Sequence, residues 1–255
     1  YIWLYLNENS FGKTYGEHRD ALEFSFDDFR ELKRYSDEIG ILFSSSGFDE
    51  DSIDFLDTLD LPFIKIASCD LTNIPLLEHT ARKGKPMIIS TGMSNMNMVN
   101  RAYKTISKYL PDDKISILQC CSAYPSNFED LDLNVIRTYK ELFPNCTIGY
   151  SGHEKGIAIS VAAVALGARI IERHVTLDRT LKGTDQSASL EFQGFATMVR
   201  DIRAVEIALG GFTKEIKKSE QICISKLRKS LVSTRFIKKG EIIQRDMFCL
   251  KSPGT

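Results

Sequence analysis

The 255-residue chain is short of several things, and each shortage removes a class of answer. It lacks an excess of either charge: 33 lysines and arginines stand against 34 aspartates and glutamates, a net charge of −1. No basic field therefore marks a nucleic-acid or membrane surface. It lacks any apolar run near the roughly 20 residues needed to span a bilayer. Its six cysteines, at positions 69, 120, 121, 146, 223 and 249, form no CxxC pair and keep no regular spacing. Cys120 and Cys121 lie inside an apolar run, as reduced core thiols of a cytoplasmic protein would. No GxGxxG follows any strand-like run, which counts against dinucleotide binding.

What the sequence does have is an alternation of helix-like and strand-like segments. Ser25 or Asp27 caps a helix to about Ile39, with Phe29, Leu32, Tyr35 and Ile39 at helical spacing, and Gly40 ends it. A strand is expected at Ile41–Phe43, a helix from Asp49, and a strand at Pro62–Ile66. The cycle continues with helix Pro75–Arg82, strand Pro86–Ile89, helix Met96–Tyr109, strand Ile115–Cys121, helix Leu131–Leu142 and strand Thr147–Tyr150. Helix Ile157–Leu166, strand Arg169–Arg173 and helix Phe192–Leu209 complete it. The six strand segments are apolar throughout, as a parallel sheet covered on both faces requires. Such repeats suit a TIM barrel or an open doubly wound sheet. A barrel needs eight strands, so two are expected before Tyr1. The chain opens on Tyr1 within an apolar run, Tyr1–Leu6, and stops at Pro253-Gly254-Thr255, and it reads as a fragment. Asn7–Glu23, with Gly12, Lys13, Gly16 and His18, reads as a long functional loop.

Polar groups follow each strand segment: Ser44–Ser46, Ser68–Asp70, Ser90–Gly92, Ser122–Pro125, Ser151–His153 and His174. In an α/β barrel these fall on the C-terminal face, where active sites form. Hydroxyls beside glycine leave backbone N–H groups open to a phosphate or carboxylate. His153 and His174 are 174 − 153 = 21 residues apart but end neighbouring parallel strands. The pair fits either a divalent-metal site or two ordinary polar loop residues. Lys65 interrupts an apolar strand. It is open to three readings: an ammonium paired with an anion, a Schiff-base lysine, or an outward side chain snorkelling between helices.

The motifs GKTYGEH (Gly12–His18), KIASCD (Lys65–Asp70), ISTGM (Ile89–Met93), QCCSAYP (Gln119–Pro125), GYSGHE (Gly149–Glu154), ERHVTLD (Glu172–Asp178) and KGTDQSASLE (Lys182–Glu191) together resemble those of the sialic acid synthase family. The resemblance spans essentially the whole chain. It implies a TIM barrel over residues 1–210, here without its first two strands and the Lys-Phe-Gln contacts they carry. A linker over 211–225 and the start of an antifreeze-like (SAF) domain over 226–255 would follow. It implies condensation of phosphoenolpyruvate with N-acetylmannosamine or its 6-phosphate, a Mn²⁺ or Mg²⁺ cofactor, and a homodimer when full length. Carried onto this sequence, His153 and His174 are the metal ligands. Lys65, Ser68, Ser46, Ser151 and Ser122 hold phosphoenolpyruvate, Ser122 standing where bacterial relatives often have Asn. Asp70, Tyr124 and Asp185 face the amino sugar, and Asp70 or Asp185 is a candidate proton acceptor. SGHE and the KG-TDQ-SASLE run are similar to the animal-type enzymes that use the 6-phosphate, with Gln186 departing from that type's usual His. Two other classes remain open: a Schiff-base aldolase using Lys65, and a sugar-acid binding or assembly protein without catalysis.

Overall fold

The computed structural model describes residues 10–252 and divides the chain into two compact units, Tyr1–Leu209 and Gly210–Thr255. The Tyr1–Leu6 segment, residues 7–9 of the expected loop and the last three residues lie outside the described residues.

In the first unit, β1 (Ile64–Ile66), β2 (Met87–Ser90), β3 (Ile115–Cys120), β4 (Thr147–Gly152) and β5 (Ile170–Arg173) form one parallel sheet in the order 1-2-3-4-5. Helices α4 (Ile74–Arg82), α5 (Met96–Ile106), α6 (Val135–Leu142) and α7 (Ala158–Ala165) make the crossovers, and α8 (Phe192–Leu209) follows β5. Strands that neighbour one another in strict chain order belong to a barrel-type sheet; a doubly wound sheet reverses order at a switch point. Ahead of β1 lie α1 (Tyr15–Asp20), α2 (Phe26–Ile39) and α3 (Glu50–Thr58). Local chemistry sets their ends. Thr14 and Ser25 close reciprocal capping boxes with Glu17 and Asp28, Asp49 accepts from the Ser52 N–H, and Gly40 ends α2 at φ 74°.

One expected strand is absent. Ile41–Phe43 forms no ladder, and Ile41 and Leu42 are 61% and 75% exposed. The segment meets the sheet three residues later, through a single bridge between Ser46 and Lys65 and the Lys65 N–H on the Ser45 carbonyl. One bridge cannot sustain a strand, so five strands replace the six expected. The loop expected over 7–23 holds the short α1 within it.

The main core lies between sheet and helices. Ile66, Ile89, Ile117, Ile148 and Tyr150 pack on Leu77, Val99, Ile106, Ile136 and Ala163. Side chains alternate along a strand, so burying Ile64 and Ile66 on the helix side turns Lys65 to the inner face. The second unit contains α9 (Gln221–Leu227) and an antiparallel pair, β6 (Ser230–Ser233) and β7 (Phe248–Lys251), with Met247 buried beneath it.

Candidate functional site

A cavity of about 460 Å³ opens at the C-terminal ends of the five strands. Of the residues singled out in the sequence, Ser46, Lys65, Ser68, Ser122, Tyr124, Ser151, His153 and His174 line it. Asp70 and Asp185 do not. Asp70 accepts at 3.0 Å from the side chain of Asn73, the N-cap of α4. Asp185 stands behind His174, its carboxylate 3.6 Å from Nδ1.

Strand register assembles the centre. Cys120, Ser151 and Glu172 are rungs of one row across β3, β4 and β5. The Ser151 hydroxyl donates to Glu172 at 2.7 Å, and Lys65 Nζ lies 3.5 Å from the other Glu172 oxygen. Lys65 also donates to the Ile66 carbonyl at 2.9 Å, so its ammonium is paired and turned inward; the snorkelling alternative is excluded. Glu172 was missed by sequence reasoning. The signal was available, since a charged residue in the β5 run Ile-Ile-Glu-Arg is as anomalous as Lys65 in β1.

The two imidazoles are neighbours, with ring centroids 5.1 Å apart, and Tyr124 packs on both at 4.2 and 5.7 Å. His153 Nδ1 lies 2.8 Å from the Cys121 carbonyl. A carbonyl only accepts, so Nδ1 carries the proton and Nε2 keeps its lone pair for another partner. Burial lowers His153's affinity for a proton, but its contacts with Cys120 Sγ and the Cys121 carbonyl outweigh this and raise its pKa. For His174 burial wins: its pKa falls despite Asp185. Burial pushes the Tyr124 phenol up to about 12. The Cys120 thiol, though raised by burial, is held below its ordinary value by His153, Ser68 and Ser122.

Beneath the histidines lies a buried ion pair. Arg173 Nη1 meets Glu154 at 2.9 Å, and neither side chain has exposed surface. Tyr150 donates to Glu154 at 2.8 Å, while Arg173 also donates to Ser160 and to the Gly156 and Glu154 carbonyls. Its Nε alone is buried without a partner.

Two adjacent imidazoles could hold one divalent ion whose other ligands are oxygens. Among the described residues no cluster of three or more His, Cys, Asp or Glu could hold a metal. Substrate and water would have to complete the shell, which leaves positions for reacting oxygens. No helix among the described residues is long and apolar enough to cross a membrane.

Comparison with known proteins agrees with this layout. The NeuB family model matches residues 4–214. Over 247 residues the chain is 51% identical to the N-acetylneuraminate-9-phosphate synthase of Homo sapiens, covering 97% of this chain and 68% of that protein. The Mus musculus enzyme of the same name is equally similar. Among solved structures, the sialic acid synthetase of Leptospira borgpetersenii serovar Hardjo-bovis, in complex with citrate, superimposes with a TM-score of 0.74 at 37% identity. That match covers 82% of this chain and 75% of the other.

Proposed function

The chain belongs to the NeuB family, the sialic acid synthases its motifs resemble, and on that premise we propose that it joins phosphoenolpyruvate to N-acetylmannosamine 6-phosphate, releasing phosphate. The 6-phosphate is favoured over the free sugar by carbon counting. Three carbons are added at the sugar's C1, so a phosphate on C6 becomes the 9-phosphate named for the human and mouse relatives. The observation that carries the reading is one cavity in which Lys65 and Glu172 share space with two adjacent imidazoles and five serine hydroxyls.

Lys65 is assigned to the charge of phosphoenolpyruvate, with the hydroxyls of Ser46, Ser68, Ser122 and Ser151 binding its oxygens. This cradle keeps C3 of the enol facing the sugar aldehyde while the C–C bond forms and the aldehyde oxygen gains a proton. A divalent ion held by His153 and His174 would supply Lewis-acid polarisation of that aldehyde. Tyr124, packed on both rings, fixes their orientation and excludes water from one side. Glu172 is placed to take the proton from the water that adds to the former C2 of the enol. Lys65 then stabilises the departing phosphate as its C–O bond breaks and the 2-keto acid forms. Asp185 steadies His174.

The test follows phosphate release with each form of the sugar, using phosphoenolpyruvate labelled with ¹⁸O at the bridging oxygen and Mn²⁺ present. The label is expected in the phosphate. No release with either sugar, or label kept in the keto acid, sinks the reading. The Schiff-base alternative is tested separately: borohydride with pyruvate should leave Lys65 unmodified.

A further inference from the structure

A second groove, of about 630 Å³, runs along α5 beside the start of α4. Arg101, Lys104 and Lys108 line it with Asn97 and Asn100, and no carboxylate does. Several cations of this unit are paired: Arg30 with Asp27, Lys33 with Asp37, Arg82 with Glu78, Lys83 with Asp54 and Lys85 with Asp60. The groove's three cations have no such partner among the described residues. Arg101 and Lys104, at i and i+3, share one face of α5, where like charges oppose helix stability, and Lys108 lies in the turn just past its end.

Acids in adjoining segments are engaged elsewhere. Glu78, whose charge senses Lys108, is bonded to Tyr109 and Arg82. Asp112 accepts from Tyr103 at 2.8 Å. The negative end of the α5 dipole accounts for a cation in the last turn. It does not account for Arg101 one turn earlier, the concavity, or the two amides. Three cations in a concave groove that no carboxylate lines favour a multiply charged anion, and the two amides add hydrogen bonds to whatever carries it.

We propose that the groove between α4 and α5 is a second, non-catalytic site that binds the phosphate or diphosphate group of a small molecule. Arg101, Lys104 and Lys108 take the charge, and Asn97 and Asn100 contact the attached group. The inference is independent of the activity proposed above.

Inorganic pyrophosphate is the probe, titrated calorimetrically into the 255-residue chain. Because pyrophosphate also suits the strand-end cavity, the titration is repeated in a Lys65→Gln background. There, binding is expected to persist and to weaken at least tenfold when Arg101→Gln and Lys104→Gln are added. In the chain that keeps Lys65, the same groove substitutions should leave phosphoenolpyruvate affinity unchanged. The replaced residues are exposed and glutamine is a good helix former, so circular dichroism should be unaltered; Lys104→Gln alone should give an intermediate loss. A nucleoside diphosphate that binds more tightly than pyrophosphate assigns the amides to its nucleoside, and equal affinity assigns the site to the phosphates alone. Pyrophosphate binding that is absent in the Lys65→Gln background, or indifferent to the groove substitutions, overturns the proposal.

Discussion

Glu154 and Arg173 are locked together at 2.9 Å without exposed side-chain surface, and each is the chain neighbour of one of the two imidazoles. The pair therefore fixes the C-terminal ends of β4 and β5 relative to one another, and with them His153 and His174. Removing one member of a fully buried pair strands the other charge, at about 3–5 kcal/mol. Glu154→Gln, which keeps the shape, is expected to lower the melting temperature by about 10 °C. A melting curve within ~2 °C of the parent would show that the pair does not hold this end of the sheet.

Metal dependence should reside in the histidines. Chelation is expected to abolish phosphate release and Mn²⁺ to restore it in the parent chain. His174→Ala should lose at least about a hundredfold in kcat, the scale on which an electrostatic catalytic group acts. Metal-dependent turnover that survives this substitution unchanged removes His174 from the site.

Glu172 separates binding from chemistry. It places a negative charge 3.5 Å from Lys65, which opposes the binding of an anionic substrate. Glu172→Gln is therefore expected to lower the KM for phosphoenolpyruvate or leave it unchanged, while kcat falls tenfold or more. A rise in KM with kcat intact would assign Glu172 to substrate binding alone.

Gly92 is required by crowding rather than by its dihedral angles. A Cβ there would stand 2.0 Å from the Ser122 hydroxyl and 2.9 Å from that of Ser68, which accepts the Gly92 N–H at 3.0 Å. Gly92→Ala should raise the KM for phosphoenolpyruvate several-fold by spreading the cradle, with a smaller effect on stability. Steady-state kinetics unchanged by the extra methyl would contradict the placement of these two serines against the substrate.

Alkali should weaken the fold through its tyrosines. The bond from Tyr103 to Asp112, and burial at Tyr124, push both phenols up to about 12 from an ordinary 10. A group whose pKa is raised on folding stabilises fully below its unfolded value and loses that contribution as pH passes its folded value. Stability is thus expected to be complete below about pH 10 and to fall between pH 10 and 12. Tyr103→Phe should shallow that fall, read from urea midpoints alongside tyrosinate absorbance.

Legibility in the sequence followed the physics of each element. The apolar runs that became β1 to β5 were readable because burial on both faces leaves no room for alternation. The run Phe192–Leu209 was read to the residue, and Ser25, Asp49 and Gly40 marked helix ends through local hydrogen bonds or a left-handed cap. Ile41–Phe43 misled because an apolar triplet carries no information about whether a partner lies in register. Placement of the strand-end serines, the histidines and Lys65 around one cavity was expected from parallel topology alone. That Asp70 serves a turn, that Glu172 meets Lys65, and that Glu154 finds Arg173 depend on contacts between distant segments. No local pattern encodes them.

The row through Cys120, Ser151 and Glu172 has a bearing on how the chain reaches its native state. Lys65 and Glu172 are 172 − 65 = 107 residues apart, and their pairing requires β1 and β5 to reach the same inner face. A slip of one residue in β4 would send Ser151 to the helix side and bring Tyr150 into the cavity in its place. Catalytic competence is thereby a readout of ladder alignment, and recovery of activity after dilution from denaturant should lag behind recovery of secondary structure whenever strands first pair out of step.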